Sequence, residues 1–318
     1  MKRSGFISCF LGVFCILGST LAYAYDQPVV NLGYTSFLDG GPPAGPGFYF
    51  QNYYQYYYSD RFNDDKGDRL PFPLTKLRVN ADILQLIYLS TKRILGASLG
   101  VSAVLPTVLS ASVDDGLPQS VLKATTGIGD LTIGPALQFD PIMRKDGKTP
   151  LFVQRFELDT IVPIGHYDSN FAIMPSANFW SITPYWAATL WMTPKWAFST
   201  RIHYLWNAKN RDPNISFGTK ISSTQAGQAF YGNFATDYAI TEQFHLGING
   251  YLFNQFTNTK VNGVGVTGRQ EKIWAIGPGI LYGLTKNQFL FFNLYFEQGA
   301  RNRTQGTNAI LRYALHFG

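Results

Sequence analysis

Cysteine is nearly missing from this 318-residue chain: its only two, Cys9 and Cys15, fall within the first 15 residues. Beyond them there can be no disulfide framework, thiolate metal site or cysteine nucleophile. Long apolar runs are missing too. Past residue 24 no stretch reaches the 18 or more consecutive apolar residues that a spanning helix needs, which excludes a helical membrane protein. Basic clusters are absent: 26 Lys and Arg against 20 Asp and Glu give +6, or +4 without Lys2 and Arg3, spread too thinly to grip nucleic acid. The four histidines, at 166, 203, 245 and 316, show no HxxxH spacing, so neither metal nor cofactor is expected.

The first 24 residues read as a secretory signal. Lys2 and Arg3 precede an apolar run from Phe6 to Leu17, and Ala22-Tyr23-Ala24 supplies a small-x-small cleavage site before Tyr25. A single N-terminal membrane helix would need about 20 apolar residues. Residues 25–46 form a Gly/Pro-rich lead-in whose core, Asp39 to Gly47, cannot sustain strand or helix, because proline removes donors and glycine adds backbone entropy. Its Val29, Val30, Leu32, Tyr34 and Phe37 are apolar enough to pack inside a barrel mouth as a partial plug; a periplasmic tail is the other reading.

What is abundant lies in residues 47–318. Hydrophobic residues make up 46% of the chain, yet the mean hydropathy is −0.04. That combination fits strands that show only every second side chain to lipid. Aromatics reach 16%, enough for belts at both membrane interfaces. Alternating segments are placed at 47–58, 74–90, 94–106, 127–140, 150–162, 179–192, 195–207, 227–240, 243–255, 272–284, 288–297 and 306–317. Tight joints at Thr91–Arg93, Thr193–Lys195, Thr241–Gln243 and Thr285–Gln288 alternate with long polar connections near 59–73, 107–126, 163–178, 208–226, 256–271 and 298–305. Joint 141–149 is a longer short-side turn. Short turns on one rim and long loops on the other define an all-β fold, a transmembrane antiparallel up-and-down barrel of the bacterial outer membrane. About twelve strands are expected, with ten or fourteen as the neighbouring even counts.

Parity then divides lipid face from lumen. Leu290, Phe292, Leu294 and Phe296 oppose Asn293 and Glu297; Leu311, Tyr313, Leu315 and Phe317 oppose Arg312 and His316; Trp196, Phe198, Ile202, Tyr204 and Trp206 oppose Arg201 and His203. Arg155, Glu157 and Asp159 alternate with Phe156 and Leu158, and Arg78 and Asp82 alternate with Leu77, Val79, Ala81 and Ile83. A charge on the lipid face near the midplane costs roughly 2–4 kcal/mol, so charges are assigned inward. The expected lumen set is Arg78, Asp82, Asp130, Arg155, Glu157, Asp159, Arg201, His203, Asp237, His245, Glu297, Arg312 and His316, its charges pairing as a ladder. Trp191 has inward parity, at the lumen mouth or beside a bulge.

Three motifs invite catalytic readings. Gly96-Ala97-Ser98-Leu99-Gly100 spells GxSxG, but a nucleophile elbow needs a strand–turn–helix and no helix follows. Gly263-Val264-Gly265-Val266-Thr267-Gly268 spells GxGxxG in an outer loop, again without its helix. His166-Tyr167-Asp168-Ser169 sets a base near a hydroxyl, yet chain neighbours seldom form such a pair, and the aspartates at 60, 64, 65 and 68 read as a solvated loop. No catalytic residue is assigned.

Several blocks occur in a telling order: Thr126-Gly127-Ile128-Gly129-Asp130-Leu131 with Pro135; Leu158-Asp159 followed by Pro163-Ile164-Gly165 and Asn178-Phe179-Trp180 with Pro184; then Asp237-Tyr238 and the closing strands. Together, over about 120–317, they resemble the bacterial meta-pathway of phenol degradation family, whose members are described as outer-membrane transporters encoded near aromatic-catabolism genes. The resemblance implies a barrel that passes hydrophobic or aromatic small molecules, with no family ligand residues to carry over. The expected function is passive transport through a narrow lumen, since twelve strands lie between barrels that side chains fill and those that leave a wide aqueous channel. A structural or adhesin-like barrel acting through its outer loops is the alternative, an outer-membrane hydrolase the third. Expected partners are outer-membrane lipid and lipopolysaccharide, the barrel-assembly machinery and a small apolar or aromatic solute.

Overall fold

A computed structural model describes residues 26–41, 44–120, 122–218 and 220–317; residues 1–24, expected to be a signal segment, and Gly318 lie outside the described residues. Alternation from residue 47 onward becomes twelve long strands: β1 (Gly47–Phe62), β2 (Lys76–Ile94), β3 (Ala97–Asp114), β4 (Leu131–Phe139), β5 (Pro150–Val162), β6 (Ser181–Thr193), β7 (Trp196–Asn207), β8 (Ala229–Ala239), β9 (Phe244–Gln255), β10 (Lys272–Thr285), β11 (Gln288–Arg301) and β12 (Thr304–Phe317). Each is antiparallel to its chain neighbours. The seam closes by β1 against β12, from Phe48 opposite Phe317 to Phe62 opposite Thr304. Each of the twelve long strands is thus paired on both sides, and a closed barrel without an open edge is the form in which strands cross a bilayer.

Between β3 and β4 the wall is interrupted. A two-residue strand, Gly127–Ile128, pairs with Thr107 and Val108, and the Gly129 amide donates to the Pro106 carbonyl (2.8 Å) before β4 resumes. The outer loops carry a small sheet of Thr224–Gln225, Lys260–Val261 and Val264–Gly265 and one 3-10 turn, Ile215–Phe217.

Three sequence expectations need correction. The β2–β3 turn lies at Leu95-Gly96, not Thr91–Arg93: alternation carries the hairpin past the membrane, where Lys92 and Arg93 are solvated. Positive φ at Leu95 (54°) and Gly96 (78°) then makes a tight primed-type turn, with glycine taking one of the two left-handed positions without a Cβ penalty. Likewise β3 runs on to Asp114, and the 298–305 loop shrinks to Asn302 and Arg303.

The third correction concerns the faces of β2. Leu77, Ala81 and Ile83 are buried in the lumen, whereas Arg78 is exposed on the outer wall and Asp82 is half-buried there, accepting from Asn52 Nδ2 at 2.5 Å. Arg78 sits 5.6 Å over the Tyr58 ring. The strand keeps one parity throughout, odd residues inward and even residues outward, and what changes along it is the character of each face. In the lower half Leu84, Leu86 and Tyr88 point to lipid; in the upper half Leu77, Val79 and Ala81 line an apolar cavity inside, and the polar residues are left for the outer rim. At Trp191 the β6–β7 register is irregular, between Trp191 and Thr193.

Candidate functional site

The lumen is occupied by the chain itself. Taking the short-turn rim as periplasmic, residues 26–41 run from the outer rim down to the periplasmic end of β1. At the top Asp26 accepts both arms of Arg269 (2.7 and 2.8 Å), and the amides of Asp26 and Gln27 donate to Glu271 Oε1 (2.8 and 3.3 Å). The Gln27 side chain joins Gln255 and Asn207, both at 2.8 Å. Midway, the Gly33 amide donates to Asn233 and its carbonyl accepts from Tyr295 (2.9 and 2.8 Å); Tyr34 donates to Gln55 at 2.9 Å. Lower still, Phe37 is 1% exposed, so its burial alone contributes roughly 1.5–3 kcal/mol. Asp39 takes both arms of Arg201 (2.7 and 2.6 Å). Gly40 lies so close to the wall that a Cβ would stand 2.3 Å from the Thr189 amide nitrogen, a fit only glycine allows.

Around this segment three cavities remain. The outer one, about 250 Å³, is walled by Leu77, Val79, Ala81 and Val108 from β2 and β3, by Ala172 to Ala177 of the 163–180 loop, and by Val29, Val30 and Leu32 of the segment itself. Three carboxylates line it: Asp26 and Glu271 belong to the latch at the top, and Glu297 accepts from Tyr57 and Tyr251 at 2.7 Å each and from the Gly306 amide at 2.8 Å. The middle cavity, about 70 Å³, touches Glu157, Asp159, Arg201 and His203; the inner one, about 90 Å³, touches Arg155, Arg201, Arg312 and His316.

The inward set assigned from parity is distributed as follows. Arg155 pairs with Glu157, which also accepts from Tyr185 at 2.6 Å, and Asp159 lies buried beside them. The Arg201 guanidinium lies 4.3 Å over the Tyr185 ring, and His203 stacks on Tyr231 at 4.2 Å. Asp237 is buried against His245 Nδ1 at 2.6 Å. His316 Nε2 contacts the Pro46 carbonyl oxygen at 2.9 Å. Arg312 sits 3.5 Å over the Phe291 ring, and among the described residues it has no carboxylate partner, so the ladder is incomplete at this rung. Asp130 is buried and lines none of the three cavities. It is a clasp, accepting the amides of Gly165 (3.1 Å) and Ala177 (2.9 Å) and thereby fixing both ends of the loop that roofs the outer cavity. The family-like blocks around 127–131, 163–165 and 178–180 meet at this clasp.

Residues that parity did not single out carry much of the site. Tyr49, Tyr53 and Tyr57 recur every fourth position on β1 and are all buried inward, a spacing visible in the sequence. Asp26, Asp39, Arg269 and Glu271 left no local signal, because their partners lie 162 to 245 positions away. Glu271 is the titratable group of the outer latch. Burial, aided by nearby Asp26 and opposed by Arg303 at 3.7 Å, raises its carboxyl to about 7. In the outer loops Tyr167 bonds the Asp212 carbonyl, and no group of three or more metal-ligating side chains occurs among the described residues.

A closed barrel with a filled lumen and an apolar outer cavity belongs to the class of outer-membrane channel folds. The family model described as MetA-pathway of phenol degradation matches residues 59–313, and the chain belongs to that family. The fold is similar to that of the COG4313 outer membrane channel from Pseudomonas putida F1, at 18% identity over 89% of this chain and 99% of that one, TM-score 0.75. The Ralstonia pickettii toluene transporter TbuX aligns at 10% identity over 87% and 92%, TM-score 0.41, and the CymD monoaromatic hydrocarbon channel at 8% over 86% and 91%, TM-score 0.40. No curated protein matches by sequence.

Proposed function

We propose that this protein is a passive outer-membrane channel for small apolar or aromatic compounds, in which residues 26–41 act as a plug that narrows the path. One observation carries the reading: β2 turns Leu77, Val79 and Ala81 away from lipid and into the outer cavity. Burying apolar residues against a hollow makes sense when the hollow receives apolar solute, because the transfer of each apolar Å² out of water contributes about 25 cal/mol. The polar groups of that cavity engage one another, so a solute meets an apolar wall with few unmet donors. Family membership and the channel described from Pseudomonas putida F1 support the same reading, and the three motifs that invite a catalytic reading lack the helix or the pairing that their chemistry needs. Lipopolysaccharide around the outer rim and the barrel-assembly machinery are the partners this location calls for.

The test is solute flux into liposomes. Full-length protein should speed entry of toluene or phenol over protein-free vesicles, and deletion of residues 26–41 should raise single-channel conductance in planar bilayers. If neither protein speeds aromatic entry, transport is wrong and a structural or adhesin-like role replaces it; if both conduct alike, the segment is no plug.

A further inference from the structure

The inner cavity differs in character from the outer one. Its lining includes Arg155, Arg201 and Arg312 with His316, against one carboxylate, Asp39. Asp39 is committed to Arg201, and Arg155 is committed to Glu157 in the neighbouring cavity. That leaves Arg312. It is 6% exposed, its Nε has no hydrogen-bond partner, and its guanidinium is sandwiched near two rings, Phe291 at 3.5 Å and Tyr53 at 5.9 Å. His316, 9% exposed, also leaves Nδ1 without a partner on the same wall. A buried guanidinium without an anion is costly, and ring faces return only part of its lost hydration. The rest of the lining mixes apolar Phe37, Leu281, Phe289, Phe291 and Ala314 with Thr35, Gln51, Gln85 and tyrosine side chains.

We propose that the inner cavity is a binding site for a small aromatic carboxylate, its carboxylate on Arg312 and its ring against Phe289 and Phe291. A planar guanidinium matches a carboxylate through two parallel N–H···O bonds, which a halide cannot reproduce. A volume of about 90 Å³ admits the head group and part of one ring. The site is separate from the apolar outer cavity, so it stands or falls independently of the flux of uncharged solutes.

Benzoate is the probe, titrated by calorimetry into the full chain in detergent, with benzamide as its uncharged counterpart and chloride as the competing ion. Benzoate should bind at least tenfold more tightly than benzamide and survive a tenfold excess of chloride. Arg312→Gln should weaken benzoate at least tenfold while leaving benzamide unchanged, and Arg312→Lys, which keeps charge but not the planar fork, should fall between. Heat-modifiable migration on gels shows whether each variant is folded. Should Arg312→Gln not fold, the wild-type ratio decides alone. Equal binding of benzoate and benzamide, displacement by chloride, or undiminished benzoate binding by folded Arg312→Gln would each overturn the site.

Discussion

Strands β2 and β5 use almost the same alphabet and point it in opposite directions. On β5, Arg155, Glu157 and Asp159 face the lumen while Phe156 and Leu158 stand 44% and 49% exposed to lipid. On β2, Arg78 and Asp82 face outward while Leu77, Ala81 and Ile83 are buried within. Alternation divides a strand into two faces but does not say which of them meets the bilayer. What decides is the character of the cavity behind the strand. Behind β5 lies a charged network that the plug segment helps to complete; behind the upper half of β2 lies an apolar chamber. The usual rule, apolar toward lipid, fails where the lumen is itself apolar and the strand has risen to the headgroup level.

The largest effects should come from the β5 side. Glu157→Leu strands the Arg155 charge and the Tyr185 hydroxyl in a buried setting, and Arg201→Leu does the same to Asp39. Each should cost about 3–5 kcal/mol, read as a lower temperature for loss of the folded band on heat-modifiable gels. Arg201→Leu should in addition loosen residues 26–41, read as new protease cleavage in that segment with the barrel intact. Unchanged gels for both variants would place these charges outside a sealed lumen.

An intermediate effect belongs to the outer latch. Because burial raises the Glu271 carboxyl in the folded state, its net contribution to the stability of the closed latch is full below about 4.5 and is lost as pH rises through about 7. Conductance should therefore rise from pH 5 to pH 8 by a few-fold, as Asp26 and a newly ionised Glu271 share Arg269 and Arg303. Glu271→Gln, fixed in the uncharged form, should flatten that profile. A profile that is level in the unmodified protein, or that falls with pH, would remove the latch.

On the β2 side, and at the exposed turn between β4 and β5, the effects should be small. Arg78→Leu removes an exposed guanidinium that only overlies a tyrosine ring, so stability should change by no more than about 0.5 kcal/mol. Asp146→Ala sits at the periplasmic turn, where hydrogen bonds from Thr149 and Lys148 hold the carboxyl down at about 2; the melting midpoint should shift slightly at neutral pH and not at all below pH 2. A large loss from Arg78→Leu would show that β2 faces the other way.

Much of this arrangement was legible from the sequence. Period-2 patterning placed all twelve strands, and on β11 and β12, where the outward residues of 290–296 and 307–317 are Leu, Phe, Tyr, Ala or Thr, it assigned the faces as well. Turn positions slipped where alternation ran on past the membrane, as at Thr91–Arg93. The apolar residues of the lead-in stood out, but nothing near Asp39 or Asp26 pointed to Arg201 or Arg269, since such pairs are set by the closed barrel. Asp130 was conspicuous in its glycine-rich block, yet its task, gripping two amides of a distant loop, depends on a wall interruption that no local pattern announces.

The plug's course has a consequence for how the molecule is made. Asp26 is held at the outer rim and Tyr49 Oη bonds the Gly45 carbonyl at the periplasmic one (2.5 Å), while β1, which follows directly, forms one side of the closing seam with β12. The segment must therefore already lie along the inner wall when β1 meets β12, or be drawn upward afterwards through a lumen that it largely fills. Contacts spanning more than 240 positions, such as Asp26 with Glu271, come late in either order. Barrel closure and lumen filling thus rest on different contacts, the β1–β12 ladder for the first and pairs such as Asp39 with Arg201 for the second.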